Sequence, residues 1–316
     1  MKHDILTITL NPAVDYAITS PRVIPELKLR CSEPKVDPGG GGINVARAIR
    51  QLGGQVTALV AIGGTTGAHL LRLLALEGVP TVAFQGPGET RQSLSVTDEE
   101  NQRQFRFVMP GPSWEEIDVT RGLMSIDQAA GEGTLVVLSG SQPPGVAKEF
   151  PSILAEHISG RGARLFVDTS GPALMNLAQT PHEAIHVLRM DSAEAEELAG
   201  RPLAEISDTA DFARGLVRRG VATNVIVARG ADGSVLSNGK GSWHCVSPAV
   251  KVVSKVGAGD SFVGAFTLSV ALGEPLSDCL VRGVAAASAA VTAEATRLCD
   301  RDYVGRLTRK CQITRL

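Results

Sequence analysis

Short runs of β-branched and aliphatic residues alternate along this chain with stretches in which apolar positions recur every three or four residues. Ile5–Leu10, Leu135–Ser139, Arg164–Asp168, His186–Arg189 and Asn224–Ala228 are compact runs of strand length, the pattern of strands buried on both faces. Helical periodicity covers Asn44–Leu52, Ala68–Leu76, Ala147–Ile158, Ser192–Leu198, Thr209–Arg219, Asp260–Leu272 and Leu276–Thr296. Strands alternating with helices predict an α/β fold: a mostly parallel sheet with right-handed crossovers, flanked by helices. Ligands of such sheets sit at the carboxyl ends of the strands.

Two segments break this rhythm. Val14–Pro38 and Ser93–Pro110 alternate polar and apolar residues with turn chemistry between them, which predicts antiparallel strands protruding from the main body. A small sheet too thin to bury both faces must cover a ligand cleft, a partner subunit or both. The expectation is one domain, residues 1–316, with a lid formed by about 14–38 and 93–110. Asp300–Leu316 reads as a terminal helix and tail.

Composition narrows the function classes. The 316 residues carry a net charge of -2, which argues against nucleic acid or a membrane surface as partner. Five widely spaced cysteines include no C-x-x-C, so they read as reduced thiols in a cytoplasmic protein rather than a disulfide framework or structural metal site. Neither a signal peptide nor an apolar run of membrane-spanning length is apparent. With aromatics at 4%, the core should be mostly Ala, Val, Leu and Ile.

The candidate chemistry lies in two glycine clusters. Val256-Gly257-Ala258-Gly259-Asp260-Ser261 opens the apolar stretch that reads as a helix. Gly257 and Gly259 leave the turn bare, so backbone N–H groups can converge on an anion at the helix N-terminus. Asp260 in the first turn either caps the helix or takes a proton from a hydroxyl that attacks a phosphoryl group. The four glycines Gly39–Gly42 require a close backbone approach, and Asn44 follows with an amide that can both donate and accept. Prolines precede this cluster where a dinucleotide fingerprint needs a strand, so a dehydrogenase reading is weak.

Other polar residues fall at strand ends or on the lid. Asp15 lies past the first strand, as a turn former or a hydroxyl ligand. Lys28 and Arg30 alternate with Leu27 and Leu29 as on one strand face, and Arg91 and Arg106 flank the second lid segment. Singly each is a solvated cation; together they imply a substrate that already carries phosphate. Ser139 closes a strand in a rigid polar turn. Asp191 and Glu194 open an acidic helix, as an N-cap or as holders of hydrated Mg²⁺. Arg229-Gly230-Ala231-Asp232-Gly233 follows the next strand in a turn suited to a nucleotide.

In this order the pieces resemble the ribokinase-like (PfkB-type) sugar kinase family. The likeness rests on Gly39–Gly42 with Asn44 and on Val256–Ser261. It extends to Lys28–Cys31, Gly39–Ala48, Arg106–Gly111, Ser139-Gly-Ser with Pro143-Pro-Gly145, and Thr296–Cys299, stretches most similar to the 6-phosphofructokinases within that family. The resemblance implies ATP-dependent phosphorylation of a phosphorylated ketohexose, with fructose 6-phosphate first and fructose 1-phosphate or tagatose 6-phosphate as alternatives. It makes Asp260 the base and gives the amides of Gly257, Ala258 and Gly259 the transferring phosphoryl group. Asp15, Lys28, Gly40, Gly41, Asn44, Arg91, Arg106 and Ser139 would hold the sugar phosphate. Glu194 would organise Mg²⁺, while Ala228, Gly230, Gly233 and the helix near Ser288 would border ATP. A monovalent cation such as K⁺ would sit on carbonyls at Ser254, Val256, Ala290, Ala293, Ala295 and Arg297, and the lid would join two copies into a homodimer.

Three places depart from the family pattern. Arg189-Met190-Asp191 stands where close relatives read Lys-Pro-Asn, Ala228 replaces a hydroxyl residue, and Lys255 replaces a small polar one. These changes border the expected nucleotide and predict altered ATP affinity. They also motivate a second reading, a sugar-phosphate-binding regulator without turnover.

Overall fold

The computed structural model of the protein describes residues 3–181, 185–294 and 297–316. From the N-terminus its elements are β1 (Ile5–Thr9), β2 (Ala13–Ser20), β3 (Lys35–Gly39), α1 (Gly41–Gln51), β4 (Thr57–Ile62), α2 (Gly64–Leu76) and β5 (Thr81–Gln85). Next come β6 (Arg91–Asp98), β7 (Arg103–Val108), α3 (Glu116–Ala129), β8 (Leu135–Ser139), α4 (Phe150–Ser159), β9 (Arg164–Asp168) and α5 (Gly171–Leu177). The remainder is β10 (Ile185–Asp191), α6 (Ser192–Ala199), α7 (Ile206–Arg218), β11 (Asn224–Ala228), β12 (Ser234–Asn238), β13 (Gly241–Val246), α8 (Ala258–Leu272), α9 (Leu276–Ala290), α10 (Arg301–Thr308) and β14 (Gln312–Arg315).

Ten strands form the main sheet in the order β14-β13-β12-β11-β10-β9-β8-β1-β4-β5. It is parallel from β5 to β11 and antiparallel from β11 to β14. Side chains alternate across it: Leu6, Ile8, Val136 and Leu138 enter one core, while Ile5, Leu135 and Val137 enter the other with Ile43, Phe262 and Phe266. Helix α8 is buried on every side from Ser261 to Ala271, so its N-terminus is held firmly at the sheet edge.

Because the central strands are parallel, their carboxyl ends share one edge. Register places Ser139 beside Asp168, Asp168 beside Arg189, and Asp191 beside Ala228. Four β-strands make the separate small sheet, in the order β3-β2-β6-β7.

The lid corrects the sequence reading in three ways, the first being that the proline-punctuated run ahead of the glycines is itself strand β3, paired antiparallel with β2. Its central pair, β2 with β6, is parallel, since β6 returns only after α1, β4, α2 and β5. Lys28 and Arg30 are on no strand; both are exposed in the irregular connection from β2 to β3. Further differences are of extent. Helix α9 stops at Ala290, and Thr296, where the periodicity ends, lies outside the described residues. The expected tail after α10 forms the edge strand β14 against β13. Among the described residues no helix is long and apolar enough to cross a membrane.

Candidate active site

Below the lid and above the strand ends is a cavity of about 350 Å³. Asp15, Arg91 and Arg106 reach it from the lid; Gly40, Gly41 and Asn44 from the start of α1; and Val256, Gly257 and Asp260 from the start of α8. Residues more than two hundred positions apart therefore share one wall.

The glycine run is explained by close approach within the protein. A Cβ at Gly41 would stand 2.6 Å from both the Gly140 nitrogen and Ser139 Oγ, and one at Gly40 would stand 2.7 Å from Thr9 Cγ2. Gly40 also has φ +122°, which only glycine adopts without strain. Ser139 Oγ is buried without a hydrogen-bond partner among the described residues. Ser139 itself lies behind Gly41 rather than in the cavity wall.

Asp260 is tied into a chain of side chains. Asn44 Nδ2 donates to Asp260 Oδ2 at 2.9 Å, and Asn44 Oδ1 accepts from Arg47 Nη1 at 3.2 Å. Arg47, 4% exposed, grips Glu77 through Nε and Nη2 at 2.5 and 2.7 Å. The guanidinium thereby dictates which way the Asn44 amide faces, and the amide holds the carboxylate. Burial and the nearby Asp168 carboxylate push the Asp260 pKa up to about 7, against the opposing pull of Asn44, Arg189 and Arg47. A base poised near neutrality can accept a proton at working pH.

The second half of this electrostatic frame is Arg189, whose Nη1 is 3.0 Å from Asp168 Oδ1. Burial works against its charge, and the Asp168, Glu194 and Asp260 carboxylates together more than restore it. A Cβ at Gly259 would come 3.0 Å from Arg189 Nη1, so the guanidinium lies under the first turn of α8. Gly257, at φ 75°, is the N-cap of that helix and supplies no side-chain cap; the first-turn amides are left for an anion.

On the lid, Arg91 donates from Nε and Nη2 to the Asn11 carbonyl, both at 3.2 Å, and from Nη1 to Ser93 Oγ at 3.1 Å. Burial raises the Asp15 pKa, offset by Arg91, Ser93 and Arg106. Arg106 is exposed on β7 at the cavity wall. Lys28 does not line the cavity.

The residues expected to border a nucleotide are differently placed. Asp191 and Glu194 form a reciprocal capping box, each carboxylate accepting from the other's backbone N–H at 2.9 and 2.8 Å. Burial raises the Glu194 pKa. Its hard oxygens suit a Mg²⁺ that takes its other ligands from water and phosphate; among the described residues no cluster of three or more metal-ligating side chains exists. Ala228 ends β11, and Gly230 and Gly233 bracket a single 3₁₀ turn. Lys255 is exposed and lines the sugar-side cavity instead. Ser288 Oγ is spent on the Val284 carbonyl of its own helix at 2.8 Å. The Val253 and Ser254 amides both donate to the Val291 carbonyl, at 2.7 and 3.2 Å. This joins the segment of Ser254 and Val256 to that of Ala290, Ala293 and Arg297; Ala295 lies outside the described residues.

Two residues of the site escaped the sequence reading. Asp168 ends a strand that the pattern predicts, and the strand-end rule applied to Ser139 would have found it. Arg47 sits three residues after Asn44 on an otherwise apolar helix face, and a lone cation among Ile43, Ala46 and Ile49 is the signal that marks it.

Fold and site together define a phosphotransferase. The chain belongs to the pfkB family of carbohydrate kinases, whose profile matches residues 4–302. It is 42% identical over 298 residues to the ATP-dependent 6-phosphofructokinase isozyme 2 of Escherichia coli, covering 94% of this chain and 96% of that one. It is 29% identical over 313 residues to the 1-phosphofructokinase of Bacillus subtilis, covering 99% and 100%. Solved structures of Escherichia coli phosphofructokinase-2 in complex with potassium and with fructose-6-phosphate match with TM-scores of 0.91 and 0.90, at 40% and 39% identity, each covering 98% of this chain and 99% of that chain.

Proposed function

We propose that the protein transfers phosphate from ATP to the 1-hydroxyl of fructose 6-phosphate, forming fructose 1,6-bisphosphate. The observation that carries this reading is one cavity holding both a carboxylate pushed to about pKa 7 and two arginines beside Asp15. Arg91 and Arg106 bind the 6-phosphate, and Asp15 and Asn44 accept and donate hydrogen bonds to sugar hydroxyls. Asp260 takes the proton of the attacking hydroxyl. The amides of Gly257, Ala258 and Gly259, with Arg189 beneath them, stabilise charge on the transferring phosphoryl group. Mg²⁺ bound near Glu194 supplies neutralisation of the nucleotide phosphates. Ala228, Gly230, Gly233 and Asp191 border the nucleotide, and K⁺ occupies the carbonyl set around Ser254, Val256 and Arg297.

The chain acts as one kinase unit, residues 1–316, with the lid from about 14–38 and 93–110. Phe105 and Phe107 share one face of the outer lid strand and are 39% and 53% exposed, a surface suited to pairing with a second lid in a homodimer.

Initial rates with fructose 6-phosphate, fructose 1-phosphate, tagatose 6-phosphate, fructose and ribose test this, with ATP, Mg²⁺ and K⁺ present. The expected outcome is the highest kcat/KM on fructose 6-phosphate. Preference for fructose 1-phosphate would instead favour the 1-phosphofructokinase reading, and binding without turnover on any sugar would favour a regulator.

A further inference from the structure

A second basic cavity, of about 830 Å³, lies away from the lid between the C-terminal end of α1, the outer side of α8 and α10. Four arginines line it, Arg282, Arg301, Arg306 and Arg309, with Asp302 as the acid among them. Arg282 has a partner in Glu274 at 3.4 Å. Among the described residues Arg301, Arg306 and Arg309 form no ion pair, and Arg306 rests only against the ring of Tyr303. A chain of net charge -2 places six cations and two acids between Arg297 and Leu316, so this C-terminal segment is strongly basic.

The spacing of these residues is informative. Arg301, Gly305 and Arg309 are four residues apart and fall on one face of α10. At Gly305 a Cβ would meet nothing within 4 Å, so the space between the two arginines is open. Glycine inside a helix costs roughly 0.5–1 kcal/mol relative to alanine, and nothing packed against Gly305 requires it. Arg306 and Arg309 suit the C-terminal pole of the helix dipole, whereas Arg301 is in the first turn, where a cation is disfavoured. Its guanidinium lies over Gly53, where a Cβ would approach Nη1 to 2.9 Å. The bare backbone there leaves room for the arginine to reach the cavity. Leu52, Leu268 and Leu272 supply an apolar floor.

We propose that this cavity binds an organic phosphate monoester, its phosphate between Arg301 and Arg309 over Gly305 and its apolar body on the leucine floor. Two forked guanidiniums match a phosphate dianion bidentately. The site adjoins the ends of α1 and α8, the two helices whose beginnings carry Asn44 and Asp260, so an occupant contacts both catalytic helices from behind.

The test uses the full-length protein saturated with fructose 6-phosphate, Mg²⁺ and a non-hydrolysable ATP analogue, so that the kinase site is filled. Calorimetric titration compares phenyl phosphate, inorganic phosphate and phenol. Phenyl phosphate should bind one to one and more tightly than inorganic phosphate, and phenol should not bind. Arg301→Gln with Arg309→Gln should weaken phenyl phosphate at least tenfold. Gly305→Leu should do the same by filling the open space; it keeps the charge and raises helix propensity, and basal kcat and KM should not change. The proposal is overturned if phenyl phosphate fails to bind the saturated protein. It is also overturned if Gly305→Leu binds as the unmodified chain does, since loss on the arginine changes alone would then reflect diffuse charge.

Discussion

The sugar-facing and nucleotide-facing halves of the site are built differently. On the sugar side the working groups are held by other side chains and by backbone: Arg91 by the Asn11 carbonyl and Ser93, Asn44 by Arg47, and Arg47 by Glu77. Groups locked in this way lose little freedom when substrate arrives. On the nucleotide side the candidates are an exposed capping box at Asp191 and a short turn at Gly230–Asp232, with Arg189, buried against Asp168, as the one linked group among them. Of the three departures from the family pattern, Asp191 and Ala228 fall at these strand ends, Lys255 lines the cavity beside Asp260, and Arg189 is buried against Asp168 under the first turn of α8. A half made of exposed turns tolerates substitution because few other groups depend on each residue. A half made of linked buried groups does not.

The largest effect separating the two halves should come from Asp260→Asn, which removes the proposed base while keeping a partner for Asn44. Turnover should drop about 10²-fold or more, with sugar-phosphate affinity by calorimetry nearly unchanged; retained turnover would remove Asp260 from the role of base. The unmodified protein should show kcat/KM falling as pH drops below about 7, where burial and Asp168 keep Asp260 protonated. Stability has the opposite sign. The folded state binds this proton more tightly than the unfolded chain, so stability is lost as pH rises from the ordinary carboxylate range through about 7. Asp260→Asn should therefore raise Tm most above pH 7, which thermal melts across pH would detect.

Next in size, Arg91→Ala should raise KM for the sugar phosphate by about ten- to a hundredfold, since a hydrogen bond to a charged group is worth roughly 1.5–3 kcal/mol. KM for ATP should move little, and equal shifts in both would erase the distinction drawn here. Arg47→Lys should lower kcat by about tenfold, because a single ammonium cannot grip Glu77 and orient Asn44 together; KM for ATP should again be steady. The smallest change expected is Asp191→Asn. Asparagine caps a helix as well as aspartate, so stability should hold and KM for ATP should shift by only a few-fold. A large loss of kcat in that variant would show that the nucleotide half is as tightly linked as the sugar half.

Much of the fold was legible in the sequence. The strands at Leu135–Ser139, Arg164–Asp168 and Asn224–Ala228 occur over those residues, because buried parallel strands must be continuously apolar. The strands β4, β5, β12 and β13 were missed: Ser234–Asn238 mixes small polar residues into its run, whereas Thr57–Ile62 is as apolar as the strands that were read and could have been found by the same rule. In the lid, alternation announced strands, but local pattern holds no information on which strand pairs with which, and the parallel β2–β6 partnership is a product of the long return through β5. The glycine clusters pointed to segments that the structure brings to one cavity. They did not say that Gly41 also makes room for Ser139 and Gly140 of the protein itself.

By itself the sequence determined the α/β class, the two glycine-opened helices and the carboxylate at the head of the second. These depend on local physics: periodicity of burial, conformational freedom without a Cβ, and helix termini that leave amides unpaired. Only the tertiary structure decided that Arg47 orients Asn44 toward Asp260, that Asp168 faces Arg189, and that Lys28 stays outside the cavity. Those relations join residues tens to hundreds of positions apart. The energies that select them, desolvation and charge pairing, exist only after the strand ends and helix starts have been brought to one edge of the sheet.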